Sequence, residues 1–353
     1  MYVAWRELRA ARGRFVLVGA VVALITLLVG FLSGLTGGLA SQSVSAVLAV
    51  PTDRIVLAAG GSDGPLLDRS SLSASTATAY RNASGTHAVR PLGISQLTAS
   101  RAGTDTAVAV IGGEPGWWTM PARDHTVVLS RSVADDLHVA ADDSVSLAGD
   151  TFTVEGVVPD LWYSHTPVVA VTITDWRGLA ARTSSTTPYA TALAVEGSPD
   201  WASLAATTQT VARSPLRSVT AVGAFRGEIG SLALIIGMLV GISALVVGAF
   251  FAVWAVQRRG DVAVLKALGA SRYAVLRDAM AQALVVLVGG VALGLALVAG
   301  LGLLARSALP FVLNAATTLA PGLLVVLVGV VGAALSLRPV LTADPLTALG
   351  SAR

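Results

Sequence analysis

The chain has 353 residues, 54% hydrophobic and 13% charged, with a mean hydropathy of +0.72, which excludes an ordinary soluble globular protein and points to a membrane protein. Its net charge of +3 does not mark a nucleic-acid binder, because the basic residues gather beside apolar runs instead of forming a stripe with aromatics. With no cysteine there is no disulfide framework, thiolate metal site or thiol nucleophile.

Residues 1–14 carry Arg6, Arg9, Arg12 and Arg14 against one Glu7, with Trp5 among them, and read as a cytoplasmic anchor at the headgroup level. The apolar run Phe15–Leu32 is longer than the roughly 7–15-residue core of a signal peptide, so residues 1–40 read as anchor plus a retained first span. Gly34, Gly37 and Gly38 suit either close approach to a neighbouring helix or a helix end.

From 41 to 225 the composition turns to Ser, Thr, Asp, Gly and Pro with short apolar bursts, which predicts a large extracytoplasmic α+β domain. Strands are expected at Ala107–Ile111, Thr126–Leu129, Ser144–Leu147, Thr151–Val158, Val168–Thr174 and Thr191–Val195. Ser130 is expected to cap a helix running to Leu137, and Asp200 another running to Ala212.

Three further spans are predicted at 226–256, 280–305 and 319–337, joined by a charged elbow at 257–279 and a short outer loop at 306–318 and followed by a tail at 338–353. The segments at 1–14, 257–279 and 338–353 hold nearly all the arginines outside the large domain and the only lysine, Lys266. The apolar runs therefore predict four transmembrane α-helices, and the positive-inside rule predicts both termini cytoplasmic and the large domain outside the membrane.

No GxxxxGK[ST] loop is present, so the chain has no ATPase motif of that kind and is not expected to be an enzyme. There is no GxSxG elbow, and His87, His125, His138 and His165 show no HExxH or other close metal spacing, so they read as ordinary surface or core histidines. No catalytic residue and no resident cofactor is assigned. Within the elbow, Val262, Leu265 and Leu268 recur at helical spacing beside Lys266, Gly269 can end that helix, and Ser271 can cap the next. Such an apolar ridge suits docking into a groove on a soluble partner, or else lies passively among the headgroups.

The stretch RRGDVAVLKALGASRYAVLRDAMAQAL resembles the signature of the FtsX/MacB-type permeases of ABC transporters, and RPVLTADPLTAL is similar to that family's tail. VVLSRSVADDLHVAADDSVSLAGDTFTVEGVV is similar to the strand, helix and strand unit of its outer domain. A narrower resemblance, to the DevC/HrtB branch, rests on the N-terminal forty residues, on YSHTPVV at Tyr163–Val169 and on GAFRGEIGSLALIIGML. The family implies a homodimeric permease in membrane lipid, driven by two copies of a separate ATPase that binds ATP and Mg.

The branch implies heme as the transported substrate. Glu228 matches a glutamate of its heme-efflux members and would meet the heme iron, while Arg226 would pair with a propionate. The sequence departs from that pattern at Ile229, where those members have glutamine, and at GAF, where they have a PGY-like turn. Met238, ten residues deeper, reads as packing. The other implied readings are export of a lipid, peptide or antibiotic, and an FtsX-like signalling permease that activates a cell-wall hydrolase.

Overall fold

The computed structural model describes residues 12–61, 64–183, 188–257, 271–305 and 309–342, so the elbow positions Val262, Leu265, Lys266, Leu268 and Gly269 lie outside the described residues. Residues 39–230 form one compact unit, and the described residues of 1–38 and 231–353 form another.

Among the described residues, four helices are long and apolar enough to cross a membrane, and they build the second unit. They are α1 (Arg12–Ala49), α7 (Gly223–Gln257), α8 (Arg272–Ala305) and α9 (Ala315–Thr342), with α2–α6 falling between α1 and α7. Each helix runs further than its apolar run in the sequence. A helix of 38 residues is about 57 Å long, so α1 outruns a hydrocarbon core of roughly 30 Å, and its last turns belong to the outer unit.

Caps set the other starts. The Ser271 hydroxyl accepts the Ala274 N–H at 3.2 Å and opens α8 as expected, so 272–279 are already helical. Asn314 and Thr317 exchange reciprocal side-chain bonds of 2.8 and 3.1 Å at the head of α9. Inside the bundle, Val18 and Val22 pack with Val247, Phe251, Leu287, Val291 and Val325. Outward-facing leucines such as Leu234, Leu245 and Leu304 are exposed, as lipid allows. Gly34 and Gly38 do not end α1. A Cβ on Gly34 would lie 2.3 Å from the Phe311 ring, and one on Gly38 would lie 1.6 Å from the Pro310 carbonyl oxygen, so these glycines permit close approach.

Among the described residues, ten strands organise the outer unit. In chain order they are β1 (Arg54–Ala58), β2 (Thr86–Arg101), β3 (Thr104–Gly113), β4 (Thr126–Ser130), β5 (Ser144–Leu147), β6 (Asp150–Val158), β7 (Trp162–Tyr163), β8 (Thr166–Thr172), β9 (Ala192–Gly197) and β10 (Thr210–Arg213). The helices are α2 (Ala74–Asn82), α3 (Arg131–Leu137), α4 (Ile173–Thr183), α5 (Trp201–Thr208) and the single turn α6 (Pro215–Ser218).

The first half of β2 pairs with β9 in a layer ordered β10-β1-β9-β2. Its second half pairs with β3, and the order continues β8-β4-β6-β5 until β5 returns to β2 through Ala99↔Leu147 and Ser100↔Ser146. That return closes a small barrel and leaves it without a free edge. Gly93 and Gly112 face each other across β2 and β3, and the space their missing side chains leave is filled by the Trp176 indole of α4, whose N–H donates to Ser95 Oγ at 3.0 Å.

Several strands are buried on both faces because they feed two cores. Val108 and Val110 of β3, Val127 and Leu129 of β4, and Val169 and Val171 of β8 fill the barrel. The alternate residues Ala109, Ile111, Val128, Val168 and Ala170 join a second core with Val44, Val47 and Val50 at the end of α1 and with Tyr163. This second core holds the β7–β8 hairpin beside the last turns of α1.

Two expectations shift at element ends. The Asp200-capped helix stops at Thr208, because Gln209 takes a left-handed φ of 53° and residues 210–213 pair with β1. The strand expected to reach Thr174 stops at Thr172, whose hydroxyl accepts the Asp175 N–H and turns the chain into α4. Ser130 does precede α3, but its hydroxyl bonds the Leu161 backbone, and Asp160 accepts the Ser132 N–H instead.

Candidate substrate site

Helix α7 begins where Val219, Ala221 and Val222 plug the second core of the outer unit, and the Arg226 N–H closes its first turn on the Val222 carbonyl at 3.0 Å. Phe225 packs on the same core, and Glu228, three residues on, shares its side of the helix. The β7–β8 hairpin faces that side.

Its two-residue loop, Ser164–His165, has φ of 51° and 65°, the left-handed pair of a type I′ turn. Backbone bonds bolt the loop to α1. The Ser164 N–H donates to the Ser43 carbonyl at 2.9 Å and the His165 N–H to the Gln42 carbonyl at 3.0 Å. The Trp162 N–H donates to Ser45 Oγ at 2.9 Å. Tyr163, fully buried between them, has its phenol pushed well above the usual range by burial and, secondarily, by the Asp68 charge, so it stays neutral.

This framework carries the His165 Nε2 to 2.9 Å from Glu228 Oε1 and 3.0 Å from Ser43 Oγ. The imidazole and the carboxylate are 32% and 42% exposed, so a ligand can reach both. A contact this open contributes only about 0–1 kcal/mol.

Of the two residues expected at the substrate, the structure therefore brings only Glu228 to this spot. Arg226 lies two positions earlier, about 200° around the helix, with its guanidinium near Gly64. Met238, read as a packing residue, is 60% exposed. His165 and Ser43 were not singled out for the site by sequence reasoning. The usable signal was a histidine in a two-residue hairpin loop, a place where glycine or asparagine is favoured.

Among the described residues no group of three or more His, Cys, Asp or Glu can hold a bare metal ion. One or two donors are enough, however, for an iron already held by four porphyrin nitrogens.

Comparisons with known proteins agree along the chain. The family model described as MacB-like periplasmic core domain matches residues 15–214, and the one described as FtsX-like permease C-terminal matches residues 229–345. A protein of Staphylococcus epidermidis provisionally named hemin transport system permease protein HrtB is 24% identical over 359 residues, covering 99% of both chains. One of Staphylococcus haemolyticus with the same name is 23% identical over 362 residues, again covering 99% of both. Among solved structures, the periplasmic region of MacB from Actinobacillus actinomycetemcomitans aligns with a TM-score of 0.37 at 12% identity, covering 48% of this chain and 92% of that one. The extracellular domain of the noncanonic ABC-type transporter YknZ from Gram-positive bacteria aligns with a TM-score of 0.32 at 13% identity, with the same coverages.

Proposed function

Because this chain belongs to the family of membrane permeases with a MacB-like periplasmic core domain and an FtsX-like C-terminal region, we propose that it is the permease of an ABC-type efflux pump that exports heme. The observation that carries the reading is Glu228, a reachable carboxylate at the outer end of the second span, in a chain whose full-length relatives are named for hemin transport.

A flat, apolar, anionic porphyrin entering from the outer leaflet would place its iron at Glu228 and its faces on apolar side chains such as Phe225. Arg226, on another side of α7, would take a propionate from a porphyrin held between two protomers. The homodimer has its own support. Helix α7 buries the smallest share of its apolar window, 11% against 33%, 28% and 28% for the other spans. Gly223, Gly227, Gly230, Gly237 and Gly241 along it meet nothing within 4 Å, which leaves a face for a second copy.

Both termini lie in the cytoplasm in this reading, and two copies of a separate ATPase dock on the elbow. Val262, Leu265 and Leu268 form the docking ridge, Lys266 lies beside it and Gly269 forms its bend. ATP-driven closure of the ATPases tilts the spans and squeezes the outer cavity. Leu265→Asp or Leu268→Asp is expected to abolish copurification of the ATPase, and copurification at the wild-type level removes the elbow from the mechanism.

The substrate is tested by growth on toxic hemin with the wild-type gene, the deletion and Glu228→Ala. Deletion and variant are expected to lose tolerance alike, whereas a deletion as tolerant as wild type ends the heme reading. A division or lysis defect with unchanged heme sensitivity would indicate the cell-wall signalling permease instead. A second transport reading draws on an apolar groove of about 650 Å³ between α7 and α9, lined by Ala244, Gly248, Ala252, Leu327, Val331 and Leu335. Its lining suits the acyl chain of another amphiphile better than a charged porphyrin edge.

A further inference from the structure

We propose that the groove between α7 and α9 is a binding site for an anionic phospholipid of the surrounding bilayer, with one acyl chain in the groove and the headgroup phosphate on Arg338. The proposal does not depend on the heme reading, since the groove belongs to the membrane-crossing unit and Glu228 to the outer one. The groove measures about 650 Å³, and every residue lining it is Ala, Gly, Val or Leu. Water does not settle in a lining without polar partners, and an empty groove would forfeit dispersion contacts along both helices. Hydrocarbon or another apolar chain must therefore fill it.

Small residues give the groove its depth. A Cβ on Gly332 would lie 3.4 Å from the Gly248 Cα, so the two backbones nearly touch at the floor, while a Cβ on Gly248 itself would meet nothing within 4 Å. The exposed side chains of Leu245, Val331 and Leu335 stand at the rim. A second copy of the chain is the rival occupant, and the dimensions speak against it. From Ala244 to Ala252 the groove runs about 12 Å along α7. A helix laid over that length, about 10 Å across, takes roughly 900 Å³, more than the groove holds. Gly241 and Gly248 are seven residues apart and share a side of α7, but α9 already backs Gly248. The bare stretch open to a second copy therefore ends where the groove begins.

Charge selects the headgroup. After Glu228, α7 carries no charged residue up to Gln257, and Arg338 is the only charged residue of α9. Arg338 stands seven residues after Val331, on the same side of α9 and about two turns nearer the end of the span. Arg258 and Arg259, outside the described residues, come next after Gln257 in the sequence. The groove thus runs toward the cationic end of both helices, which favours a lipid of net negative charge over a zwitterionic one.

The test places the full-length permease in phosphatidylcholine nanodiscs doped with phosphatidylglycerol or phosphatidylcholine bearing a photoactivatable diazirine in one acyl chain. After illumination, phosphatidylglycerol is expected to label residues 244–252 and 327–335 about fivefold more than phosphatidylcholine does. Arg338→Gln should bring the anionic lipid down to the zwitterionic level. Gly248→Leu combined with Ala252→Leu, whose added side chains enter the groove, should abolish labelling there by both. Arg338→Gln leaves the groove itself untouched, so it decides the matter even where the double variant does not fold. Equal labelling by the two lipids in wild type, or labelling unchanged by Arg338→Gln, overturns the proposal. The chain has no cysteine, so Leu245→Cys is a clean reporter of the rival: disulfide-linked dimers formed through it would put a second copy over the groove. Excess hemin should leave the labelling unchanged, and displacement of the lipid by hemin would make the groove a substrate site instead.

Discussion

The first and second membrane helices are both rich in glycine, and four glycines of α1 meet a fate opposite to that of five glycines of α7. Along α1, a Cβ on Gly30 would lie 2.8 Å from a Val298 methyl, one on Gly34 2.3 Å from the Phe311 ring, one on Gly37 2.6 Å from the Thr317 methyl and one on Gly38 1.6 Å from the Pro310 carbonyl oxygen. Along α7, Gly223, Gly227, Gly230, Gly237 and Gly241 face open space. The same residue type therefore serves packing within the chain in one helix and leaves a smooth, unfilled side on the other. In lipid, where apolar side chains gain little by leaving the solvent, close backbone approach is a main source of helix association. These glycines of α1 have found their partners; those of α7 meet none among the described residues.

That contrast is tested most severely at Gly38. Even Gly38→Ala sets a carbon against a backbone oxygen that cannot turn aside, and a loss of about 3 kcal/mol is expected, read as a lower Tm and a smaller folded yield in detergent. A variant as stable as wild type would break the comparison on the α1 side. Next in size is the paired change Gly237→Leu with Gly241→Leu. It should leave the monomer's Tm almost unmoved but weaken self-association about tenfold, or roughly 1.4 kcal/mol, as measured by sedimentation in detergent; an unchanged dimer would break the comparison on the α7 side.

Gly30→Ala sharpens it, because the obstacle is the tip of a side chain that can rotate. A loss of about 1 kcal/mol, below that of Gly38→Ala, is expected in thermal unfolding. Smallest of all, Gly227→Ala meets nothing, so stability should stay within about 0.5 kcal/mol of wild type. A large loss there would reveal a contact on this side of α7.

The membrane helices were legible because each apolar run exceeds what a buried soluble helix needs, although their ends were not, since caps such as Ser271 and Asn314 sit outside the apolar signal. Within the outer unit the β-branched bursts marked β3, β4, β5, β6, β8 and β9. Strand β2 escaped notice, because Pro91 and Gly93 interrupt its pattern at the point where it passes from one partner strand to the other. Strand β10 reads locally as the tail of a helix and became a strand only because β1 offered it an edge. Glu228 was found by resemblance to a family motif, whereas His165 looked like any other histidine of the domain.

Residue composition and periodicity by themselves determined that this chain crosses a membrane four times and carries an α+β domain between the first two spans, because hydrocarbon and water select side chains over long, local stretches. The motifs also placed it in its family before any contact was visible. Only the tertiary structure decided that a hairpin bolted to α1 would bring an imidazole against Glu228, and that Gly223, Gly227, Gly230, Gly237 and Gly241 of α7 would face open space among the described residues. Both depend on pairings between residues far apart in the chain, and a local pattern carries no information about which distant surface will fold back to meet it.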